Sequence, residues 1–314
     1  MQENIQQACE FCFATIAEFN DIKLLGCERC YVIFYKALKP QLEAFHMAGE
    51  YVGKGAGSLT KALDLSTKKD VARAAEVDTD NTIISTRVRF ARNISGYPFV
   101  HKLKGAEAAS LIDKVYASAK EVLDNPQLIL LNNITNKQKL GLASLNLIST
   151  KLLNQISSGG LILSKNKTIS IMLNEEDHIR AQCILMGERV DEAFLMLDEL
   201  DNILNKMLGF AFLDKLGFLT SCPTNLGTGL RVSVLLYLPH LTASGEILEI
   251  KRDVKEKGFA IRGVYGEGTK EIGAKYQLSN DTTLGLTEAE YINNLKRFTK
   301  QIVDAERETR LLNI

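Results

Sequence analysis

The stretch STRVRFAR, residues 85–92, determines how the larger part of this 314-residue chain is interpreted. In a β-strand successive side chains point to opposite faces, so Arg87 and Arg89, two residues apart, would share one face. Each guanidinium group is a planar fork of hydrogen-bond donors, and two of them side by side suit a single polyanion. The stretch therefore predicts a strand whose arginines face an anionic ligand.

The sequence after residue 80 contains both helical and strand patterns. They do not follow a regular βαβ alternation, which favours an α+β fold over a doubly wound parallel sheet. The predicted helices cover residues 104–123, residues 190–207 and the segment after the capping box Thr287–Glu290. The predicted strands cover residues 161–173 in two pieces, residues 232–238 and residues 259–264.

Composition restricts the possible functions. With 46% hydrophobic and 24% charged residues, the chain is typical of a folded globular protein. Lys plus Arg and Asp plus Glu both number 38, so no overall charge favours nucleic acid or an anionic membrane as a partner. No run approaches the roughly 18 apolar residues of a membrane span, and the first residues lack the pattern of a secretory signal. The predicted compartment is the cytoplasm.

A change of composition near Gly53 indicates a boundary between two parts of the chain. The sequence GKGAGS begins there and continues as a polar, alanine-containing stretch, which is typical of a linker. We therefore predict a small module over residues 1–52, a linker over residues 53–80 and a large domain over residues 81–314.

Four of the six cysteines form two CxxC pairs, Cys9 with Cys12 and Cys27 with Cys30, separated by 14 residues. This spacing is typical of a structural zinc site with four thiolate ligands. A segment this short has little apolar core, so bound zinc would supply much of its folding free energy. The alternative is a set of buried or redox-active thiols. His46 is assigned a packing or surface role, because four thiolates already complete a tetrahedron.

Three further motifs combine charged residues with glycines: NEEDHIR at 174–180, CPTNLGTGLR at 222–231 and RGVYGEGT at 262–269. They add Arg180, Arg231 and Arg262 to the arginines of the strand. Their glycines allow backbone amides to approach phosphate oxygens closely. Neither a Walker loop nor a GxGxxG turn after a strand occurs. For any single arginine the alternative is a solvated surface position, since charged residues are mostly exposed.

These motifs, with ISTRVRFARNISGYPF before them and QLSNDTTLGLTEAEYI after them, resemble the phosphagen (guanidino) kinase family from about residue 78 to 310, and most closely its bacterial protein-arginine kinases. The resemblance implies a catalytic domain with a mixed, mainly antiparallel sheet flanked by helices. It implies that MgATP is bound through its phosphates by five arginines, Arg87, Arg89, Arg180, Arg231 and Arg262. It also implies that Glu176 and Glu267 pair with the substrate guanidinium and that Cys222 lies beside it.

The implied roles agree with the chemistry of the reaction. A protonated guanidinium is a poor nucleophile, so carboxylates must orient it and one must accept a proton as the N–P bond forms. Cys222 could be an ordinary buried thiol, but beside a guanidinium its thiolate would be stabilised. His178 is interpreted as a structural, hydrogen-bonded histidine and is left out of the catalytic set.

Residues 9–57, which include CEFC, GCERCYVIFYKALKPQLEAFH and GKGAG, resemble the zinc-binding segment of McsA, the bacterial activator of protein-arginine kinases. The resemblance implies a zinc-ribbon-like activator module on the same chain. In small-molecule members of the kinase family, a helical domain at this place encloses the substrate, and here the module replaces it. Those members also usually have histidine where this chain has Leu235. The C-terminal domain of protein-arginine kinases is expected to be missing after Ile314.

Three hypotheses follow. The leading one is an ATP-dependent protein-arginine kinase whose substrates, by resemblance, are a stress-response repressor and unfolded proteins marked for a Clp protease. The second is a kinase of free arginine or another small guanidine. The third is a zinc-stabilised adaptor that binds nucleotide or phosphoarginine without turnover. The intact set of acidic, cysteine and arginine residues argues against the adaptor, and the replaced helical domain argues against the small substrate.

Overall fold

The protein was analysed as a computed structural model that describes residues 7–47, 49–55, 82–154, 159–263 and 273–312. The helices in these ranges are α1 (Ile16–Ile22), α2 (Cys30–Ile33), α3 (Tyr35–Phe45), α4 (Gly105–Lys120), α5 (Asn136–Ser144), α6 (Thr150–Leu153), α7 (Val190–Leu208), α8 (Pro239–Ser244), α9 (Ile247–Glu256) and α10 (Glu288–Leu312). The strands are β1 (Ile83–Arg92), β2 (Gln127–Leu130), β3 (Gly160–Leu163), β4 (Ile169–Leu173), β5 (Ile179–Met186), β6 (Phe212–Leu213), β7 (Gly217–Phe218), β8 (Leu230–Tyr237), β9 (Phe259–Gly263) and β10 (Lys275–Asn280).

An eight-stranded sheet lies at the centre of the larger part, in the order β2-β3-β4-β5-β1-β8-β10-β9. Every neighbouring pair in it is antiparallel. Strands β6 and β7 form a separate small hairpin. The predicted α+β class with a mainly antiparallel sheet is therefore confirmed.

One face of the sheet forms the main core. Val88 and Phe90 of β1 are fully buried on it, because alternate residues of the strand point there. Helices α4, α7 and α10 cover this face and contribute Leu111, Leu197 and Ile292 to the same apolar cluster. Burial of these side chains at one face leaves the opposite face of the same strands for polar residues.

A second apolar cluster lies on the opposite face, at the β2–β4 end of the sheet. Leu161, Leu163 and Met172 from β3 and β4 pack there with Leu147 and Leu152. Because Met172 lies directly opposite Arg180 of β5, the two share a face. This cluster anchors the segment that carries α6 beside the arginines.

The N-terminal module packs directly on the larger part. Its buried residues, which include the four cysteines, Phe19 and Leu38, form one cluster with Phe99, Leu219 and Leu284 of the larger part. Residues 53–55, which were assigned to a linker, also lie against the larger part, and the side chain of Lys54 is 1% exposed. The division at residues 52 and 80 stays a prediction.

The predicted elements are found with small shifts of their ends. The predicted helices and strands correspond to α4, α7, α10, β3, β4, β8 and β9, and residue 264 lies outside the described residues. The capping box is formed, since the backbone N–H of Thr287 donates to Glu290 and that of Glu290 donates to the Thr287 hydroxyl. No helix in the described ranges has the length and apolar character needed to cross a membrane.

Candidate active site

Four arginines meet on the open face of the sheet. Arg89 of β1 lies directly opposite Arg231 of β8, and Ala91 lies opposite Arg180 of β5. Directly opposed residues of antiparallel strands share a face, so Arg180 and Arg231 lie on the same side as Arg87 and Arg89. The alternation in the STRVRFAR stretch thus places the predicted arginines together, across three neighbouring strands.

The positive charges of the clustered arginines lower the pKa values of their neighbours. Burial, and then the charges of Arg180 and Arg231, lower the pKa of Arg87 to about 10. Burial and then Arg87 lower the pKa of Arg89 well below its usual value. Among the described residues, the buried Nε of Arg87 has no hydrogen-bond partner. Clustered like charges and a buried donor without a partner are features expected of a site for an anion.

Arg262 lies further out, at the β9 edge. Its side chain is 58% exposed, and its guanidinium donates to Asp281 at 2.7 Å. Burial, and then the charge of Arg262, lower the pKa of Arg231 to about 10, so the two cations are neighbours. The fifth predicted arginine therefore joins the rim of the cluster.

The turn between β4 and β5 carries three acidic residues with different partners. Glu175 accepts hydrogen bonds from Arg180 at 2.8 and 3.0 Å and from the hydroxyl of Ser149. Although burial opposes its ionisation, these partners lower the pKa of Glu175. Glu176 is more open and lies in a cleft lined also by Arg89, Arg180 and Arg231.

Asp177 joins the acidic turn to the loop that carries Cys222. Its Oδ1 accepts from the side chain of Asn93 and from the backbone N–H of Ser221, both at 2.6 Å. Burial and then the charge of Glu176 raise the pKa of Asp177 to about 7.

Cys222 follows Ser221 in the chain, and its Sγ contacts the Thr224 hydroxyl at 3.0 Å. Burial raises the pKa of the Cys222 thiol, and the charge of Glu176 acts in the same direction, so Cys222 and Glu176 are neighbours.

The N-terminal module holds the backbone on either side of Cys222. The backbone N–H of Leu25 donates to the carbonyl of Ser221 at 2.8 Å. The hydroxyl of Tyr31 donates to the carbonyl of Thr220, also at 2.8 Å. His46 accepts at Nδ1 from the backbone of Thr283, so its Nε2 carries the proton and donates to the carbonyl of Pro223 at 2.8 Å. Burial lowers the pKa of His46, which keeps it neutral in this role.

The four cysteines of the CxxC pairs are buried together within the module. Their sulfur atoms lie within 4.8 Å of one another, and the Sγ distances are 3.6 Å for Cys9 and Cys27 and 3.4 Å for Cys12 and Cys30. A tetrahedral zinc ion with Zn–S bonds of about 2.3 Å requires sulfurs about 3.8 Å apart. Hydrogen bonds with Cys27 and then Cys30 lower the pKa of Cys12, which favours a thiolate there. The residues fit a structural zinc ion.

Purified protein is expected to contain one zinc ion per chain, because the four sulfurs complete a tetrahedron without a further ligand. Elemental analysis of protein kept reduced measures this ratio, and a Cys9→Ser, Cys27→Ser double variant should contain none. The Cys183→Ser variant is the control, since Cys183 lies in β5 outside the group. A folded, reduced protein without zinc would contradict the assignment.

The structure brings together most of the residues singled out from the sequence. The exception is Glu267, which lies outside the described residues. His178 is structural, as predicted: its Nδ1 accepts from the backbone of Ile94 and its Nε2 contacts the carbonyl of Pro98. Gly229 serves close packing, since a Cβ there would lie 2.5 Å from Arg92 and 2.7 Å from the carbonyl of Ala91.

Two residues of the site were missed. Asn225 donates to Glu176 Oε1 at 3.0 Å, and Lys151 donates to Glu176 Oε2 at 2.6 Å. Asn225 belongs to the CPTNLGTGLR motif and could have been found there. No pattern in the sequence around Lys151 points to the site.

Comparison with known proteins agrees with this geometry. Residues 107–309 match the family ATP:guanido phosphotransferase, C-terminal catalytic domain, and residues 7–53 match the McsA central zinc-finger domain. The chain is 39% identical over 234 residues to a protein-arginine kinase of Caldanaerobacter subterraneus subsp. tengcongensis, covering 73% of this chain and 69% of that protein. It is 41% identical over 235 residues to the protein-arginine kinase of Clostridium novyi, covering 73% and 67%.

Solved structures show the same fold. A lombricine kinase superimposes with a TM-score of 0.82 at 20% identity, over 99% of this chain and 90% of that one. The substrate-free duplicated taurocyamine kinase of Schistosoma mansoni gives a TM-score of 0.77 at 25% identity, over 96% of this chain and 44% of that longer chain.

Proposed function

Because the chain belongs to the ATP:guanido phosphotransferase family, we propose that it transfers the γ-phosphoryl group of MgATP to arginine side chains of proteins. The observation that carries the proposal is the cluster of four arginines on one sheet face, three of which line a cleft together with Glu176. The relatives named protein-arginine kinase and the McsA-type zinc finger on the same chain favour a protein over a small guanidine as the acceptor.

The arginines are proposed to bind the phosphates. Phosphoryl transfer requires little covalent chemistry from the protein, so positioning and stabilisation of negative charge account for most of the catalysis. Arg87, Arg89 and Arg231 are partly shielded from water by the sheet, which strengthens their interaction with an anion. Magnesium, when bound, would neutralise part of the phosphate charge, and its ligands would be mainly phosphate oxygens and water.

Glu176, Glu267 and Cys222 are proposed to act on the acceptor. Glu176 orients the guanidinium and accepts a proton as the N–P bond forms. Glu176 lines one cleft with Arg89 and Arg180, so an acceptor held by Glu176 would lie next to the proposed phosphate site. Cys222 adds a group whose thiolate a guanidinium would stabilise, and Glu267 is assigned the partner role by family resemblance.

The module is proposed to activate the kinase in cis. It forms hydrogen bonds with three backbone carbonyls of one loop, those of Thr220 and Ser221 before Cys222 and that of Pro223 after it. Asp177 binds the same loop from the other side. Zinc would stabilise the module and, through these contacts, fix Cys222 relative to Glu176.

The acceptor class is tested by comparing an unfolded, arginine-containing protein with free arginine, each with MgATP, and measuring acid-labile N-phosphate. The protein acceptor is expected to react much faster because, by family resemblance, the module is proposed to replace the helical domain that encloses a small substrate. The same acceptor with arginines replaced by lysine is the control. Comparable turnover of free arginine would indicate a small-guanidine kinase, and nucleotide binding without transfer would indicate an adaptor.

By resemblance to bacterial protein-arginine kinases, the proposed substrates are a stress-response repressor and unfolded proteins destined for a Clp protease.

A further inference from the structure

Both carboxylate oxygens of Glu176 already have partners within the chain. Asn225 donates to Oε1 at 3.0 Å, and the ammonium group of Lys151 donates to Oε2 at 2.6 Å. The Glu176 side chain is 19% exposed and that of Lys151 is 48% exposed. A cation therefore already occupies the carboxylate that, in the proposed function, receives the substrate guanidinium.

The backbone of Lys151 is fixed although its side chain is open to solvent. The hydroxyl of Ser149 caps α6 by accepting from the backbone N–H of Leu152 at 3.0 Å, and it also donates to Glu175. Leu152 is fully buried in the apolar cluster beneath α6. The helix is thus fastened to the acidic turn, and rotation of the lysine side chain alone would release Oε2 of Glu176.

We propose that the Lys151 ammonium is a resident cation of the acceptor subsite and that a substrate guanidinium binds by displacing it from Glu176. The inference rests on the proposed role of Glu176. A guanidinium presents two parallel donors to a carboxylate, whereas an ammonium is a point charge. Arginine can therefore replace Lys151. The ammonium of a substrate lysine lacks the two parallel donors and has to compete with the ammonium of Lys151, which the chain already holds at Glu176. Lys151 therefore favours guanidinium over amine acceptors.

The kinetic test compares Lys151→Met with Lys137→Met, a control at an exposed lysine of α5. An exposed ion pair contributes little, and its loss corresponds to roughly a two- to fivefold effect. The KM for an arginine-containing acceptor is expected to fall by that factor in Lys151→Met, with kcat at saturating acceptor and the KM for ATP unchanged. An unchanged or higher acceptor KM would overturn the proposal, since a lysine that only orients Glu176 would raise it.

A second measurement does not depend on turnover. The reactivity of the Lys151 amine toward an acylating reagent, followed by peptide mass spectrometry, is expected to increase in Glu176→Gln and, in the wild-type protein with MgADP, on adding methylguanidinium. Tetramethylammonium chloride at the same concentration is the control for ionic strength and should have no effect. Equal reactivity with and without methylguanidinium would refute displacement. If no arginine is phosphorylated, the proposed function fails, and this labelling still decides whether a guanidinium displaces Lys151.

Discussion

Replacing Glu176 with glutamine is expected to lower the phosphotransfer rate by two or more orders of magnitude while leaving the affinity for ATP nearly unchanged. Glutamine keeps the size and one acceptor oxygen but removes the charge that orients the guanidinium and accepts its proton, a loss typical of a general base. The direct partners of Glu176 are Asn225 and Lys151, whereas the phosphates are assigned to the arginines. Single-turnover rates and nucleotide titration measure the two effects separately.

Two further variants test whether a loss of rate without a loss of ATP affinity is specific to Glu176. Unlike Glu176→Gln, Arg231→Ala should weaken nucleotide binding as well as slow turnover, because it removes a positive charge from the arginine cluster. Glu121→Gln, at an exposed position after α4, should leave both quantities unchanged. A Glu176→Gln enzyme with a near-normal rate would remove Glu176 from the catalytic set. Glu267→Gln is expected to resemble Glu176→Gln on family resemblance.

The sheet face that carries the arginines could be predicted from the sequence because it depends on a local regularity. Alternation in β1 fixes which residues share a face, and this property needs no knowledge of the neighbouring strands. Arg231 was predicted as a phosphate-binding residue from its own motif, and the strand register places it opposite Arg89. The pairing itself joins residues 142 positions apart and required the structure.

The interactions of single lysines could not be predicted, because lysine is usually exposed and carries no local pattern. GKGAG was interpreted as a linker on its glycines, yet Lys54 is buried. Its partners lie on α7, more than 140 residues away in the chain. Likewise, the prediction for His46 left open whether it packs inside or lies at the surface, and the structure shows a buried ring that bonds the carbonyl of Pro223 and the backbone N–H of Thr283.

Replacing Lys54 with methionine is expected to lower the free energy of unfolding by about 3–5 kcal/mol, the usual cost of removing one partner from a buried ion pair. The ammonium lies 2.6 Å from Asp198 and 2.8 Å from Asp201, and Asp201 also binds Arg92 at 2.9 Å. Methionine matches the length of lysine but leaves this buried group with one cation fewer. The backbone N–H of Lys54, which donates to Glu288, is retained in the variant.

The decrease in the free energy of unfolding caused by Lys54→Met should depend on pH in a defined direction. Although burial raises the pKa of Asp201, its ion pairs with Arg92 and Lys54 outweigh burial and lower that pKa below its usual value. A carboxylate with a depressed pKa stabilises the fold above its unfolded pKa of about 4 and loses this contribution as the pH falls through the folded value. The difference in the free energy of unfolding between wild type and Lys54→Met is therefore expected to be largest at neutral pH and to decrease below about pH 4.

Urea unfolding of the full chain, followed with Lys39→Met as the matched control, measures the effect. Lys39 pairs with Glu43 at 3.8 Å on the exposed side of α3, so its loss should change stability by less than about 0.5 kcal/mol. Arg92 also donates to the carbonyls of Ala91 and Thr228, at the ends of the strands that carry the arginine cluster. Lys54→Met should therefore weaken nucleotide binding as well. A variant within 1 kcal/mol of wild type would show that the Lys54 ion pairs contribute little to holding residues 49–55 on the kinase fold.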